Sequence, residues 1–283
     1  MTEENYEFET AYQKGFLNKD MELFYICTDS EMEFKYHYHD FYKLLIHIRG
    51  AITYHIEGMD YALSPYDTVL ISPGEIHKPE FKQPQTYERI IAYISEEFFE
   101  AAEKYDPYLK KCFELEKEKK SHVIHLPSPD KDLVDITERL KWCYASPQSG
   151  NELWKRVKLQ EYLILLNQKL QTDQHVLLTA TTANEKVRQA MEYINEHISE
   201  EISVSVIAES LYVHPSYLMH LFKKETGYTI GKYISEKRLF YANQLIASGK
   251  SITEACYLSG YQNYGTFYHA YKSRYGSSPK GRK

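Results

Sequence analysis

An internal repeat in the C-terminal third limits the folds open to this chain more than any other feature of its sequence. Ser203-Val204 is matched by Ser251-Ile252, 48 residues later in the chain. After the first short helix of the unit, matching residues are 49 positions apart. At this second spacing the matches are Leu218 with Phe267, His220 with His269, Phe222 with Tyr271, Lys223 with Lys272, and Gly227 with Gly276. The additional residue falls between residues 211–214 in the first unit and 259–263 in the second. Because insertions are tolerated in turns, each unit is predicted to be a helix, a turn and a helix.

The repeated unit has the dimensions of a helix-turn-helix motif. We predict a first helix of about eight residues and a second of about twelve, with residues 230–248 as one long helix between the units. The second helix of such a motif can lie in the major groove of DNA. Two rigidly linked recognition helices could enter successive major grooves, about 34 Å apart on one face of the duplex. The alternative is an all-α bundle that binds no nucleic acid.

Net charge is unevenly distributed along the chain. The whole sequence carries −6, which by itself argues against nucleic acid as a partner. Residues 184–283, however, hold 13 Lys and Arg against 9 Asp and Glu, or +4. The remainder holds 21 against 31, or −10. This asymmetry fits a C-terminal part whose partner is an anion.

The C-terminal residues also resemble a known family, the AraC/XylS DNA-binding domain. The resemblance covers residues 185–283 and rests on Ile207-Ala208, Tyr217-Leu218, Phe222-Lys223-Lys224, Thr226-Gly227, Arg238, Ala242, Leu245, Gly260-Tyr261, Phe267, Tyr271-Lys272 and residues 276–279. It implies a transcription factor that binds double-stranded promoter DNA, usually as a homodimer on paired half-sites. It also implies a contact with RNA polymerase if the protein is an activator.

The two predicted recognition helices carry the candidate DNA-binding residues. Pro215 suits the first position of one helix, and Asn263 is the predicted N-cap of the other. Base-edge candidates are Ser216, Met219, His220, Thr266 and His269, with Tyr264 beside them, and phosphate candidates are Lys223, Lys224, Lys272 and Arg274. The alternatives are ordinary packing for Met219 and simple solvation for Lys224 and Arg274.

Two features depart from the family pattern. His220 and His269 stand where the family commonly has Arg, and histidine cannot make the bidentate guanidinium contact to guanine. No guanine preference is therefore carried over. His214 replaces the usual Ser before Pro215, which predicts a less well capped helix start.

The N-terminal part, residues 22–94, is predicted to be β-rich. Residues 23–28, 41–48, 51–56 and 67–73 are short runs rich in β-branched and aromatic residues, separated by turn signals such as Arg49-Gly50, Glu57-Gly58 and Pro73-Gly74. Several short strands with tight turns favour a sandwich or a small barrel.

Histidines in this part resemble the two cupin half-motifs, at residues 37–39 and 73–77. Positions 37 and 39 share one face of a strand, and Lys43 lies further along that face. A metal-binding cupin would have a Glu ligand near position 43, and a cation there opposes a divalent metal. We therefore predict a polar pocket of His37, His39, Lys43 and His77, with no metal and no other cofactor, although three imidazoles alone can hold a metal. The resemblance suggests a carbohydrate or related metabolite as the ligand.

A plainer interpretation of the same strand is also open. The odd-numbered face with Lys43 and His47 could be the wet side of a sheet whose even face, with Leu44, Ile46 and Ile48, packs the core.

Helical periodicity begins near Ser95 and is strongest in residues 151–171. Leu159, Leu163, Leu166 and Leu170 recur at helical spacing. This apolar face either packs onto its own barrel or is shared with a second subunit, and we favour the second interpretation slightly.

Together these patterns predict an α+β protein. A cupin-like sensing barrel spans 1–94, a helical dimerisation segment 95–171, a linker 172–184, and an AraC-type DNA-binding domain of two helix-turn-helix units 185–283.

Composition excludes several other classes of protein. The start is acidic with no apolar core of a secretory signal, no apolar run spans a bilayer, and the four cysteines form no CxxC pair. The expected protein is therefore cytoplasmic. Because of the two helix-turn-helix units, and because Lys43 opposes a metal, it is not expected to be an enzyme. It is predicted to be a DNA-binding regulator controlled by a small polar ligand. The alternatives are a regulator whose barrel only dimerises and, less favoured, a metallocupin isomerase or dioxygenase.

Overall fold

A computed structural model gives the fold of the chain. It describes residues 17, 19–30, 34–81, 85–119, 121–126, 130–145, 152–172, 177–178, 180–182 and 184–281. The chain divides into two compact units, Met1–Thr181 and Thr182–Lys283. The first contains the strands and the second is helical, so the predicted α+β class is confirmed.

Two sheets build the first unit. The strands are β1 (Met21–Ser30), β2 (Tyr42–Arg49), β3 (Ile52–Ile56), β4 (Met59–Ala62), β5 (Thr68–Ile71), β6 (His77–Phe81), β7 (Gln85–Ile94), β8 (Val123–Ile124) and β9 (Thr181–Thr182). One sheet has the order β1-β7-β2-β5-β8, and the other has the order β6-β3-β4-β9. The strands expected from the four β-rich runs, β1, β2, β3 and β5, are confirmed.

Strand β2 is buried on both faces because helices cover one face of its sheet and the second sheet covers the other. Leu44 and Ile46 join the apolar core that faces the helices, whereas Leu45 joins a second core between the two sheets. Lys43 and His47, which lie on the same face as Leu45, are 2% and 0% exposed. The interpretation of the odd-numbered face as a wet surface is therefore wrong, because this face is the barrel interior.

Helices cover the outer face of the first sheet. They are α1 (Glu96–Glu103), α2 (Lys111–Lys119), α3 (Lys131–Ala145) and α4 (Glu152–Thr172). The stripe on α4 with Leu159, Leu163 and Leu166 is buried in the same core as Leu44. Tyr162, on the same stripe, shares a hydrogen bond of 2.6 Å with the hydroxyl of Thr68 in β5. The stripe therefore packs onto its own barrel, and the slight preference for a face shared with a second subunit is corrected.

The predicted linker is partly structured. Helix α4 extends to Thr172, Leu177 forms a bridge with Ile124, and Thr181 donates a hydrogen bond to the Asp60 carbonyl. Residues 173–176, 179 and 183 of that segment lie outside the described residues. The described residues before 182 therefore extend the barrel unit.

After Thr182, which ends β9, the described residues of the second unit form only helices and the turns between them. It contains α5 (Glu185–Glu196), α6 (Val204–Ser210), α7 (Pro215–Thr226), α8 (Ile230–Ala247), α9 (Ile252–Leu258) and α10 (Tyr264–Tyr275), followed by a 3-10 turn at Pro279–Gly281. At the spacing of about 1.5 Å per residue, α8 is roughly 27 Å long. Within the described part of the chain, no helix combines the length and the apolar character needed to cross a membrane.

Candidate nucleic-acid interface and barrel pocket

The two helix-turn-helix units have equivalent cores. Leu218 and Phe222 of α7 are fully buried, as are their counterparts Phe267 and Tyr271 of α10. Both first helices begin at a serine whose side chain accepts a backbone hydrogen bond, from Val206 in α6 and from Glu254 in α9. At the second serine the Glu254 carboxylate also accepts from the Ser251 backbone N–H, at 2.9 Å, which completes a capping box at the start of α9. The repeat in the sequence is thus a repeat in structure.

The turns of the two units differ where the sequence has its additional residue. Tyr212 in the first turn and Gly260 in the second both have positive φ, 55° and 91°. Around Gly260 the backbone is enclosed, because Arg238 of α8 donates from Nε to the Ile198 carbonyl at 3.0 Å. Only glycine combines that conformation with so close an approach.

The first recognition helix, α7, presents one face to solvent. Ser216, Met219, His220 and Lys223 are all exposed, and Met219 retains 46% of its accessible surface. Ordinary packing of Met219 is therefore excluded within its own unit. The predicted position of Pro215 at the start of the helix is confirmed.

His214 caps α7, which corrects the expectation of a poorly capped start. Its imidazole Nδ1 accepts a hydrogen bond of 3.2 Å from the backbone N–H of Ser216. Serine is not required here because a neutral imidazole nitrogen is also an acceptor.

The second recognition helix, α10, presents the equivalent face. Thr266, His269 and Lys272 are exposed, and Asn263 accepts a hydrogen bond from the Thr266 N–H at 3.1 Å, as predicted for an N-cap. Tyr264 is half-buried and its ring stacks with that of Tyr268 at 6.5 Å. The helix therefore offers a polar face with an aromatic edge.

The remaining phosphate candidates lie in different surroundings. Lys224 is 72% exposed, with its amine 3.6 Å from the Glu225 carboxylate. Arg274 is only 18% exposed and its Nε lies 3.5 Å from the Glu236 carboxylate on α8. Its charge is therefore directed toward the core of its unit, away from the exposed row of α10.

In the barrel, the three predicted pocket histidines come together. Their ring centroids are 4.4 Å apart for His37 and His77, 5.0 Å for His37 and His39, and 5.1 Å for His39 and His77. The backbones of His37 and His77 pair directly, by hydrogen bonds of 3.1 and 2.9 Å. The two half-motifs thus meet as a short bridge, which fixes their side chains on one side.

Burial determines the ionisation of His77. It is 0% exposed, and its pKa lies well below the usual value because burial penalises the charged ring and His37, Lys43 and His39 add unfavourable charge. The ring is accordingly a neutral imidazole at neutral pH.

Lys43 lies among tyrosines in the same interior. Its amine is 5.8 Å from the ring centroid of Tyr54 and 5.9 Å from that of Tyr93. Tyr93 packs against His39 at 5.3 Å, and Tyr54 stacks on His77 at 6.1 Å. Neither tyrosine was among the predicted pocket residues. Each lies two residues from a buried isoleucine on its own strand, Tyr54 between Ile52 and Ile56 on β3 and Tyr93 after Ile91 on β7. This period of two marks both tyrosines as inward-facing.

Comparison with known proteins finds matches for both units. Residues 207–281 match the family described as a helix-turn-helix domain, and residues 23–161 match the AraC-like ligand binding domain. The chain is 28% identical over 217 residues to the lactose operon transcription activator of Staphylococcus xylosus, covering 75% of this chain and 72% of that protein.

Further relatives cover more of the chain at lower identity. The HTH-type transcriptional activator RhaS of Salmonella schwarzengrund is 22% identical over 255 residues, 87% of this chain and 86% of that protein. Among solved structures, ToxT from Vibrio cholerae O395 is 13% identical, with a TM-score of 0.36, covering 93% of this chain and 96% of that one. One matched family lies in each unit, and both relatives are named as transcription activators rather than enzymes. The chain therefore belongs to the AraC family of DNA-binding transcriptional regulators, with a ligand-binding domain before its helix-turn-helix domain.

Proposed function

We propose that this regulator binds promoter DNA through α7 and α10 under the control of a small polar ligand held in the barrel interior. The observation that carries the proposal is the cluster of His37, His39, Lys43 and His77, of which the last three are buried among aromatic rings in a domain of the ligand-binding family. A carbohydrate or related metabolite is the favoured ligand, because a relative is named for the lactose operon. The protein would act in the cytoplasm and contact RNA polymerase if it activates.

Both recognition helices would contact the bases and the phosphates of DNA. The residues that would contact base edges are exposed on these helices, with Tyr264 half-buried beside the second set: Ser216, Met219, His220, Thr266 and His269. Lys223 and Lys272 would neutralise phosphates at equivalent positions of the two units. Lys224 is a further phosphate candidate, and Arg274 would have to leave Glu236 to become one.

Loss of either equivalent lysine should lower the salt dependence of DNA binding. In Lys223→Ala and Lys272→Ala we expect weaker binding to every DNA sequence and a salt slope smaller by about 0.9 for each lost phosphate contact. Fluorescence anisotropy over a series of salt concentrations measures the slope. Lys250→Ala, an exposed lysine outside both recognition helices, is the matched control. An unchanged slope in both test variants would remove the phosphate role.

Ligand binding should stabilise the barrel unit. At about 100 times its dissociation constant, a ligand adds roughly 2.7 kcal/mol to the free energy of unfolding. For a unit of this size that corresponds to a rise in Tm on the order of 5 °C. A thermal-unfolding screen of the full chain against sugars, sugar acids and sugar phosphates measures it, with the barrel transition followed separately.

The matched pair of variants for this screen is Lys43→Met and Lys78→Met. Lys43 points into the barrel, whereas Lys78 lies next to His77 on β6 with its amine over Tyr36, 4.9 Å from the ring centroid. A ligand of the pocket should lose its Tm shift in the first variant and keep it in the second. Equal shifts in both variants would place the ligand elsewhere.

A homodimer is the second part of the proposal. On the outward side of α4, Leu153 is 68%, Val157 46% and Ile164 38% exposed, at spacings that share one helix face. Trp142 of α3, whose ring packs on Trp154, is also 53% exposed. Sedimentation of the full chain and of Leu153→Glu tests the dimer, which should dissociate in the variant.

A further inference from the structure

Both recognition helices carry a large side chain with an apolar body directly before a histidine. The residues matched 49 positions apart include Met219 of α7 with Tyr268 of α10, each followed by its histidine, His220 or His269. Met219 retains 46% of its accessible surface, Tyr268 is half-buried, and both histidines are exposed. The same pair of chemical groups is therefore repeated in the two units.

Each pair lies on the outward face of its helix. Positions 216, 219, 220 and 223 share one face of α7, and positions 265, 268, 269 and 272 share the equivalent face of α10. At the start of the second face stands Gly265, where an added Cβ would lie 3.0 Å from Oδ1 of the N-cap Asn263. Because no side chain projects at Gly265, the Tyr268 ring one turn later can approach a base edge closely.

The two apolar side chains differ in how firmly they are held. The ring centroid of Tyr268 lies 6.5 Å from that of Tyr264 and 5.9 Å from that of His269. A ring with few torsions loses little conformational freedom when it makes a contact. Met219 is flexible and adapts its shape to the surface that it meets. Both side chains can thus cover a small apolar group on a base.

Thymine is the base whose major-groove edge fits such a pair. It presents a C5-methyl group beside the O4 acceptor, whereas guanine presents two acceptors and cytosine an amine. Apolar side chains contact the methyl group. Imidazole carries an N–H donor in either protonation state, and O4 accepts from such a donor. An apolar side chain followed by histidine is therefore complementary to thymine.

We propose that each helix-turn-helix unit recognises one thymine with this pair, Met219 and His220 in the first unit and Tyr268 and His269 in the second. The apolar side chain contacts the C5-methyl group, and the imidazole N–H donates to O4. The two thymines lie roughly 10 base pairs apart, because the helices enter successive major grooves. This inference rests on the proposed function for the docking of α7 and α10 on DNA.

The first experiment removes the methyl group from the DNA and leaves the protein unaltered. The full chain selects its preferred site from random duplexes, and each thymine of that site is then replaced by deoxyuridine, which lacks only the C5-methyl group. Fluorescence anisotropy should show an affinity about fourfold lower at two thymines, the effect of one methyl group in an apolar contact. These two should lie roughly 10 base pairs apart. The other thymines of the site are the internal control and should be insensitive.

Variants then assign each methyl group to its side chain. Met219→Ala should lose the sensitivity to deoxyuridine at one of the two thymines and keep it at the other, and Tyr268→Ala should do the reverse. Each ratio compares two DNAs on one protein, so a general loss of folding cannot imitate this crossed pattern. The matched control is Leu258→Ala, which removes a side chain that is 47% exposed outside both recognition helices. It should keep both sensitivities.

The imidazole contact is tested with 5-methylcytosine, which keeps the methyl group and presents an amine in place of O4. In place of either thymine it should weaken binding by the unaltered chain at least about fivefold, as a mismatched base pair does. The loss should be smaller in His220→Ala at the thymine of α7 and in His269→Ala at that of α10. Equal losses in the variants and the unaltered chain would overturn the imidazole contact.

The outcomes separate this inference from the proposed function. If the chain selects a preferred site and none of its thymines is sensitive to loss of the methyl group, the proposed function stands and the thymine contacts fail. The contacts fail also if both sensitivities survive in Met219→Ala and in Tyr268→Ala, because other side chains would then meet the methyl groups. If the chain selects no preferred site, the proposed function itself fails and the inference falls with it.

Discussion

Replacing Gly260 by alanine is expected to destabilise the DNA-binding unit by about 3 kcal/mol or more, one of the largest effects available from a single methyl group. The residue has φ of 91°, where an L side chain costs roughly 1–2 kcal/mol. A Cβ there would also overlap the Ile198 carbonyl oxygen and come within 2.8 Å of Arg238 Nε. The arginine side chain could move, but the carbonyl oxygen is part of the backbone. Moving it would displace the backbone on both sides of Ile198.

The chain contains a matched control for this prediction. Gly249, after α8, has φ of 89° and nothing within 4 Å of an added Cβ. Gly249→Ala should therefore incur only the backbone cost, about 1–2 kcal/mol. For a unit of about 100 residues the difference corresponds to several degrees in Tm. Calorimetric unfolding of both variants measures it, and equal destabilisation would show that the close approach at Gly260 contributes nothing.

The helical unit could be predicted almost residue by residue because its signals are local. Pro215 and Asn263 mark the starts of α7 and α10, and Gly227 and Gly276 mark their ends. Each of these effects acts within one turn of helix, so neighbouring residues suffice to reveal it. The imidazole cap of His214 was missed because histidine seldom serves as an N-cap.

The barrel interior was harder to predict because it depends on contacts between distant strands. The spacing of His37 and His39 placed them on one face, but alternation alone does not tell which face of a doubly covered strand is the interior. Lys43 therefore had two interpretations, and only the packing of β2 between two cores decided between them. The pairing of Arg274 with Glu236 is likewise a contact between helices that no local pattern records.

The sequence repeat predicts that the loss of base-edge contacts in both recognition helices will be the largest functional effect. Two double variants test this, one in each recognition helix: Ser216→Ala with His220→Ala in α7, and Thr266→Ala with His269→Ala in α10. Each lost contact should reduce the free energy of specific binding by about 1–3 kcal/mol. One altered helix should then weaken the specific complex by at least about thirtyfold, and both together by about a thousandfold, near the non-specific level. Alanine favours helix, and the caps at His214 and Asn263 are retained, so folding is preserved.

The test begins with selection of preferred sites from random duplexes by the unaltered chain, followed by anisotropy on the selected site. Glu209→Ala and Tyr257→Ala, exposed positions at equivalent places in α6 and α9, are the controls and should bind as the unaltered chain does. The salt slope should stay the same in the recognition-helix variants, because Lys223 and Lys272 keep their phosphates. Loss confined to one helix would show that the second unit only stabilises the first. Two equivalent losses would show that both units contact bases, as their matched caps, cores and exposed faces lead us to expect.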